Sequence, residues 1–576
     1  MLRRALATGI GVMLVLVDLA WPGPITGAFA VLAMFALLAG LLVGLLRARR
    51  RRVLERVGAL AGADAVVYAA LLALFVARAY VLSRQSVGDA AELDGTAGTY
   101  DLVFLVVGAL HGLSAAMPER LARLALRLAQ RPALLLAGSF FAMILVGTVL
   151  LALPLSVEHV ADVSLVDSLF TMTAAVCVTG MSVTDLGTSY TFFGEILILF
   201  AMQLGGIGIM TLAALALAFA RDTALSTQLR YAAMLDARTL SDLRTTVRSI
   251  VFGTLAIETI GAVLLYLQFD GDPRIEGRSA AWLAAFHSIS AFCNAGYALF
   301  PGNLIEFADD LGVQCILMAL VVLGGLGFPV LRELAIQMRM RSVRLVAKRK
   351  PRPLPLSLMT RVVLWTTGIL LVAGMVLVLA LEYGRASMAG LDAGERVLAA
   401  LFHSVNTRTS GFNSVDVGAF SSATLLWSCV LMFIGGSPGS TAGGIKTTTL
   451  ATLVATMRGE LRNGEPNLGR RSIAPEVFRR ASAVTGISAF IVLVSLTLLT
   501  ITEDHEFMPL LFETVAAFST AGMTTGITPT LSSMGKLVIT VTMFIGRVGP
   551  LTIALAVAAA EGKARYRLAR ESLPIG

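Results

Sequence analysis

The sequence predicts an all-α polytopic membrane protein in which four copies of one unit close around an axis, behind an N-terminal block of further transmembrane helices. Three observations predict it. Apolar runs of about 20 residues, enough to cross a bilayer, recur along a 576-residue chain that is 56% hydrophobic and 14% charged, with mean hydropathy +0.81. The loops between these runs alternate in charge. A short pattern ending in glycine appears four times: Val178-Thr179-Gly180, Asn294-Ala295-Gly296, Thr409-Ser410-Gly411 and Thr520-Ala521-Gly522, at intervals of 116, 115 and 111 residues.

The charged loops thread the chain. Arg3 and Arg4 lie inside, 5–20 exits, and 25–46 returns to 47–56, which holds six Arg and one Glu. Span 65–83 exits to the acidic 84–101, and 102–117 returns to the basic 118–132. Residues 1–132 therefore read as an extension of four transmembrane helices. Its first apolar stretch runs through Trp21-Pro22-Gly23-Pro24 into a second span, unlike a cleavable signal peptide. Further on, 338–361 carries eight Lys or Arg and no acid, and 458–480 carries six basic residues against three acids. Segments 154–168, 303–310 and 502–513 carry acids and no Lys or Arg. This is the positive-inside pattern, with both termini and the tail 561–576 cytoplasmic. The net charge of +9 is thus a matter of sidedness. It argues against nucleic-acid binding and leaves the basic loops able to dock anionic lipid or an acidic cytosolic partner.

The four units are expected at 133–220, 245–338, 358–457 and 478–560. Each reads as a spanning helix, a half-span, a glycine turn and a second spanning helix. The half-spans are 166–177, 282–293, 396–407 and 508–519, too short to cross a bilayer, so each enters and turns back. Phe170, Phe286 and Phe512 lie ten residues before the turn glycine, and Phe402 lies nine before Gly411. Irregular backbone at that depth survives only inside protein or beside water. Glycine there tolerates φ > 0 and puts no side chain in the path. Four such turns can aim backbone carbonyls at one point and replace the water shell of an alkali cation. The cation ligands are then the carbonyls of Val178, Thr179, Gly180, Asn294, Ala295, Gly296, Thr409, Ser410, Gly411, Thr520, Ala521 and Gly522. The partially negative C-terminal ends of the half-helices favour a cation between them.

A second repeated mark follows 24–28 residues after each turn glycine: Leu204-Gly205-Gly206, Leu323-Gly324-Gly325, Ile434-Gly435-Gly436 and Ile545-Gly546-Arg547. It reads as close helix packing, as a level on an ion path, or as both. The third copy continues as Gly435-Gly436-Ser437-Pro438-Gly439-Ser440-Thr441-Ala442-Gly443-Gly444 and then Lys446. One helix over 422–457 would be about 54 Å long, and proline with five glycines breaks it. A small, polar, non-helical plug below the turns suits a gate. Arg547 stands where the other copies have glycine. A cation at mid-membrane is costly, so there it raises the barrier for cations and can bond the 435–444 carbonyls. Glu258 is the other buried charge expected, with no partner readable from sequence. Residues 439–447 mimic a phosphate loop, but Ile445 interrupts the match; Gly206-Ile207-Gly208 mimics a dinucleotide turn without a strand before it. Cys177, Cys293, Cys315 and Cys429 read as small buried hydrophobes, and the five His have no metal-ligand spacing.

At these residues the chain resembles the Trk/Ktr/HKT superfamily of potassium transporters, most closely its KtrB and TrkH membrane subunits. The resemblance rests on Val176-Cys177-Val178-Thr179-Gly180-Met181, Ser290-Ala291-Phe292-Cys293-Asn294-Ala295-Gly296-Tyr297, Asn406-Thr407-Arg408-Thr409-Ser410-Gly411-Phe412 and Ala517-Phe518-Ser519-Thr520-Ala521-Gly522-Met523. The loop Gly435 to Lys446 and Arg547 match as well, and the match spans 133–560. It implies four pseudo-symmetric M1-P-M2 repeats around a central pore, with K⁺ held at the twelve turn residues and a gate made by 435–446 and Arg547. It also implies a homodimer in the bacterial inner membrane, on a cytosolic, nucleotide-sensing RCK ring of the KtrA or TrkA kind. No cofactor is implied in this chain. Members with Ser at the first turn glycine tend to favour Na⁺; all four glycines are present here. The first 132 residues depart from KtrB, which lacks such an extension.

The expected function is potassium uptake. A transport rival on the same scaffold is a Na⁺-preferring or Na⁺-coupled symporter, with Na⁺ as coupling or regulatory ion. A polytopic membrane enzyme is the rival from another class. It needs a convergent catalytic set, and the His, Cys and carboxylates here do not cluster in sequence.

Overall fold

The computed structural model describes residues 132–158, 163–219, 240–275, 277–346, 355–462, 464–469 and 471–549. Of the expected extension over 1–132, residues 1–131, with its four spans, lie outside the described residues, as does the tail 561–576. Two units are distinguished. Residues 150–158 and 191–194 belong to one, within which Thr191 donates through Oγ1 to Leu155 O at 2.7 Å. The described parts of Arg131–Val149, Val163–Tyr190 and Glu195–Gly576 form the other, which holds every candidate site residue.

The chain is a helical membrane protein. Its longer helices are α1 (Pro132–Leu151), α2 (Leu165–Val176), α3 (Phe192–Phe219), α4 (Leu240–Phe269), α5 (Ala280–Cys293), α6 (Leu311–Leu326) and α7 (Phe328–Val346). There follow α8 (Leu358–Glu382), α9 (Ala393–Asn406), α10 (Ser422–Phe433), α11 (Thr447–Leu461), α12 (Pro475–Thr502), α13 (Phe507–Ser519) and α14 (Ser533–Val548). The strands, Asn467–Leu468 and Arg471–Ser472, pair as a two-residue hairpin.

The half-spans form the short helices α2, α5, α9 and α13. Three have side-chain caps that fix where they begin. Ser164 and Asp167 form a reciprocal capping box on α2, Ser279 caps α5, and Asp392 with Glu395 boxes α9. Phe170, Phe286, Phe402 and Phe512 are all fully buried, so the repeated aromatic is a packing anchor in each helix. Ion pairs join segments distant in sequence. Lys536 on α14 meets Asp167 on α2 at 2.7 Å, and Arg278 before α5 meets Glu195 on α3 at 2.8 Å.

Two expectations need correction. The second unit, expected at 245–338, should close on one spanning helix, but its α6 and α7 meet at an angle of 106°. Gly327, at φ 81°, and Pro329 supply the backbone freedom and the missing donor that end α6 there. Among the cysteines, Cys315 is exposed, because position 315 lies on the outer face of α6; the other three are buried. The break expected in 422–457 falls between α10 and α11, with residues 435–446 non-helical.

Candidate functional site

Each half-helix ends in the same backbone device. Val178, Asn294, Thr409 and Thr520 take φ of 54°, 59°, 72° and 51°, and Gly180, Gly296, Gly411 and Gly522 two residues on take 83°, 71°, 91° and 74°. Left-handed φ is costly for Val and Thr, by about 1–3 kcal/mol each. Such strain persists only where surroundings impose it. The sequence marks the glycines as the special positions and hides these four others. The backbone N–H groups turn back onto the helix ends: Thr179 N donates to Ala174 O (2.7 Å), Ala295 N to Ser290 O (2.7 Å) and Ala521 N to Ala516 O (2.8 Å). These bonds reach back five residues, the pattern of a Schellman cap. In the third turn Ser410 N reaches back only four, to Asn406 O at 3.0 Å. The residue missing between Phe402 and Gly411 is therefore missing from the cap.

The four turns meet in cyclic order. A Cβ built on Gly180 would fall onto Ala295 O, one on Gly296 onto Ser410 O, and one on Gly522 onto Thr179 O. On Gly411 it would lie 2.9 Å from Ala521 O. First turn touches second, second touches third, third touches fourth, and fourth touches first. Each glycine is required by the neighbouring turn's carbonyl. The ring is braced from outside by residues to which the sequence reading gave no role of their own. Buried Tyr297 donates from its hydroxyl to Thr171 O (3.0 Å) and Met181 O (3.1 Å), pinning the first turn from the second. Leu304 N donates to Asn413 O (3.1 Å), tying the second unit to the third. The Thr179, Thr409, Ser410 and Thr520 hydroxyls are buried and have no partner among the described residues.

The paired glycines divide in role. Cβ atoms on Gly205, Gly324 and Gly546 would fall onto Val176 O, Phe292 O and Phe518 O, each four residues before its turn glycine. The first glycine thus lets the second helix press on the end of its own half-helix. The third copy differs: Gly435 lies against Gly443 O of its own loop.

That loop is held on all sides. Ile445 N donates to Phe433 O (3.1 Å) and Thr447 N to Gly436 O (3.0 Å), closing it at its base. Ser437 N donates to Gly325 O (3.1 Å), Ser437 Oγ to Leu326 O, and Phe328 N to Gly439 O (3.0 Å), seating the loop in the α6–α7 break. Thr441 Oγ1 donates to Phe292 O at 3.4 Å, and Gly443 packs against Ser519 O and the Thr520 hydroxyl of the fourth turn. Lys446 Nζ folds back onto Ala442 O at 2.7 Å. Arg547 donates to Thr441 O and, at 2.6 Å, to Gly205 O, so it bridges the loop and α3. Buried Arg408, beside the third turn, donates to Gly435 O at 2.8 Å. Its Nε and Nη1 have no partner among the described residues. Only its place next to the turn motif could have flagged it. Glu258 finds its partner in Gln203, whose Nε2 donates to it at 2.9 Å, while Cys293 Sγ donates to Gln203 Oε1 at 3.4 Å.

The profile of the TrkH family, described as cation transport protein, matches residues 138–566. The chain belongs to the TrkH cation transport family. Ktr system potassium uptake protein B of Bacillus subtilis is 36% identical over 436 residues, covering 75% of this chain and 94% of its own. The protein of the same name from Vibrio alginolyticus is 37% identical, covering 73% and 90%. Potassium/sodium uptake protein NtpJ of Enterococcus hirae is 32% identical, covering 77% and 97%. The crystal structure of the potassium transporter TrkH from Vibrio parahaemolyticus superposes with a TM-score of 0.60 at 17% identity, over 85% of this chain and 97% of that one. That likeness establishes the shared helical fold.

Proposed function

We propose that this TrkH-family chain takes up potassium across the bacterial inner membrane through the ring of turns. The carbonyls of residues 178–180, 294–296, 409–411 and 520–522 act as the selectivity filter. The observation that carries the reading is the cyclic order of glycine contacts, which brings the four turns together in a ring; on this reading the twelve turn carbonyls supply the cation's ligands. Left-handed φ at alternate residues sends the N–H groups to one side of each turn and leaves the carbonyls on the other. A K⁺ ion entering there exchanges water for fixed dipoles at the negative ends of four helices. The buried hydroxyls of Thr179, Thr409, Ser410 and Thr520, without a partner among the described residues, suit a site that takes a cation with part of its water.

The 435–446 loop and Arg547 form the gate on this reading. They lie between the ring and the Gly327 break, and the guanidinium adds positive charge where a cation must pass. The Bacillus and Vibrio relatives are named as protein B of a Ktr system, which supports a chain that works with a further component. A homodimer on a cytosolic, nucleotide-binding RCK ring of the KtrA or TrkA kind is the proposed assembly, with both termini of this chain cytoplasmic.

Growth of a potassium-uptake-deficient bacterium on low K⁺ tests the function. Rescue by this chain is expected, and its absence with the protein present in the membrane overturns the proposal. The NtpJ likeness supports a second reading, in which Na⁺ is carried or coupled. Reversal potentials in opposed Na⁺ and K⁺ gradients separate the two. A channel for K⁺ follows the K⁺ gradient alone, whereas a coupled carrier shifts with Na⁺.

A further inference from the structure

Helices α8 and α11 pack against each other, and a groove of about 1080 Å³ opens between them, reaching the 467–469 hairpin arm. Its two walls change character in step. On α8, Arg361, Trp365 and Ile369 line it at four-residue intervals, which places them in one stripe. Along α11 and at its C-cap, Val454, Arg458 and Arg462 line it with the same spacing, run in the opposite sense. One end of the groove therefore carries three exposed arginines against one lining acid, Glu465, and the stretch along Trp365, Ile369 and Val454 is apolar. Trp365 is 74% exposed and Ile369 61% exposed, both on a helix long and apolar enough to span a membrane. No described carboxylate makes an ion pair with any of the three arginines. They also come from two basic segments, 338–361 and 458–480, that the sequence places on the same, cytoplasmic side.

We infer that this groove is a binding site for an anionic phospholipid of the inner leaflet. The phosphate sits among Arg361, Arg458 and Arg462, the glycerol level meets Trp365, and an acyl chain runs along Ile369 and Val454. Arginine forks match phosphate oxygens, and aromatic side chains favour that depth. An acidic soluble protein would satisfy the arginines and leave the apolar stripe unmatched. A second copy whose two-fold axis passed through the groove would set one arginine triplet against another. The site has a consequence for transport, since α11 begins at Thr447, directly after Lys446. A lipid wedged between α8 and α11 braces the helix that carries the end of the 435–446 loop.

The test uses full-length protein purified in detergent and examined by native mass spectrometry with phosphatidylglycerol or phosphatidylcholine added. Phosphatidylglycerol should be retained and phosphatidylcholine lost. R361Q/R458Q/R462Q should weaken retention on the order of a hundredfold, at roughly one charge contact per arginine. V454W fills the groove without changing charge and should exclude the lipid as well, which covers the case of a triple variant that does not fold. Equal retention of both lipids, or retention untouched by either variant, overturns the proposal. A dimer that falls to monomer in R361Q/R458Q/R462Q with lipid retention unchanged overturns it too, and gives the groove to a second copy.

Discussion

At the ring, four segments separated by more than a hundred residues adopt one backbone solution, with left-handed φ at Val178, Asn294, Thr409 and Thr520 and again at the glycine two places on. At the second glycine of the paired mark, the four copies share nothing. Gly206 lies against Cys293 Sγ, Gly325 has only the Asn294 amide within 4 Å, Gly436 is part of the loop, and the fourth position is Arg547. A spherical ion stripped of water needs equivalent ligands around it, so a filter rewards repetition. Blocking and unblocking a path needs one element that differs from its neighbours. The duplicated unit was kept where the proposed filter lies and broken where the proposed gate lies.

The largest effect is expected from disturbing the repeated level. In G180S the new Cβ falls onto Ala295 O and the residue must hold φ 83°. The first turn shifts, and K⁺ over Na⁺ discrimination should fall on the order of tenfold or more, since such strain costs about 1–3 kcal/mol. Parallel K⁺ and Na⁺ flux in liposomes measures it. Selectivity equal to the native protein's would remove Gly180 from the filter.

Breaking the asymmetric level should act on rate and spare selectivity. R547Q removes the donors to Thr441 O and Gly205 O together with the charge, and K⁺ flux should rise by about tenfold, given that hydrogen bonds to charged groups are worth about 1.5–3 kcal/mol. Deleting 437–440 removes the contacts with Gly325 and Gly439's bond to Phe328, and should raise flux similarly. A lower or unaltered rate in either variant takes the gate away from this segment. A smaller rise is expected for R408Q. Arg408 holds Gly435 O alone, while Ile445, Thr447 and Ser437 keep the loop seated. A change in K⁺/Na⁺ ratio without a change in rate would instead assign Arg408 to the third turn.

Much of this was legible because the gene repeats itself. Glycine spacing located all four turns, apolar length identified the half-helices, and five glycines with a proline announced the break before α11. The α6–α7 bend was harder to read, because Gly324-Gly325-Leu326-Gly327 looks like the unbroken Gly205-Gly206-Ile207-Gly208 of α3; Pro329 was the distinguishing sign. The pairs Gln203–Glu258 and Arg408–Gly435 join residues 55 and 27 apart by folding alone. No periodicity encodes them. The left-handed φ of Val178 and Thr520 runs against residue preference, so sequence pointed away from it.

The smallest expected effect sharpens the comparison inside one helix. Gly324 and Gly325 are neighbours on α6, yet a Cβ on Gly324 falls onto Phe292 O, whereas a Cβ on Gly325 rests 3.5 Å from the Asn294 side-chain amide at ordinary contact distance. G325A should be tolerated, with thermal stability within about 0.5 kcal/mol of the native protein and K⁺ flux little changed. In G324A, α6 must move off the end of α5, and with it the Ser437–Gly325 bond that seats the loop. Stability and flux should both shift, in the direction of an unseated loop. Equal responses from the two variants would mean that close packing and the proposed ion path are not divided between the paired glycines, and the two-level reading would lose its footing.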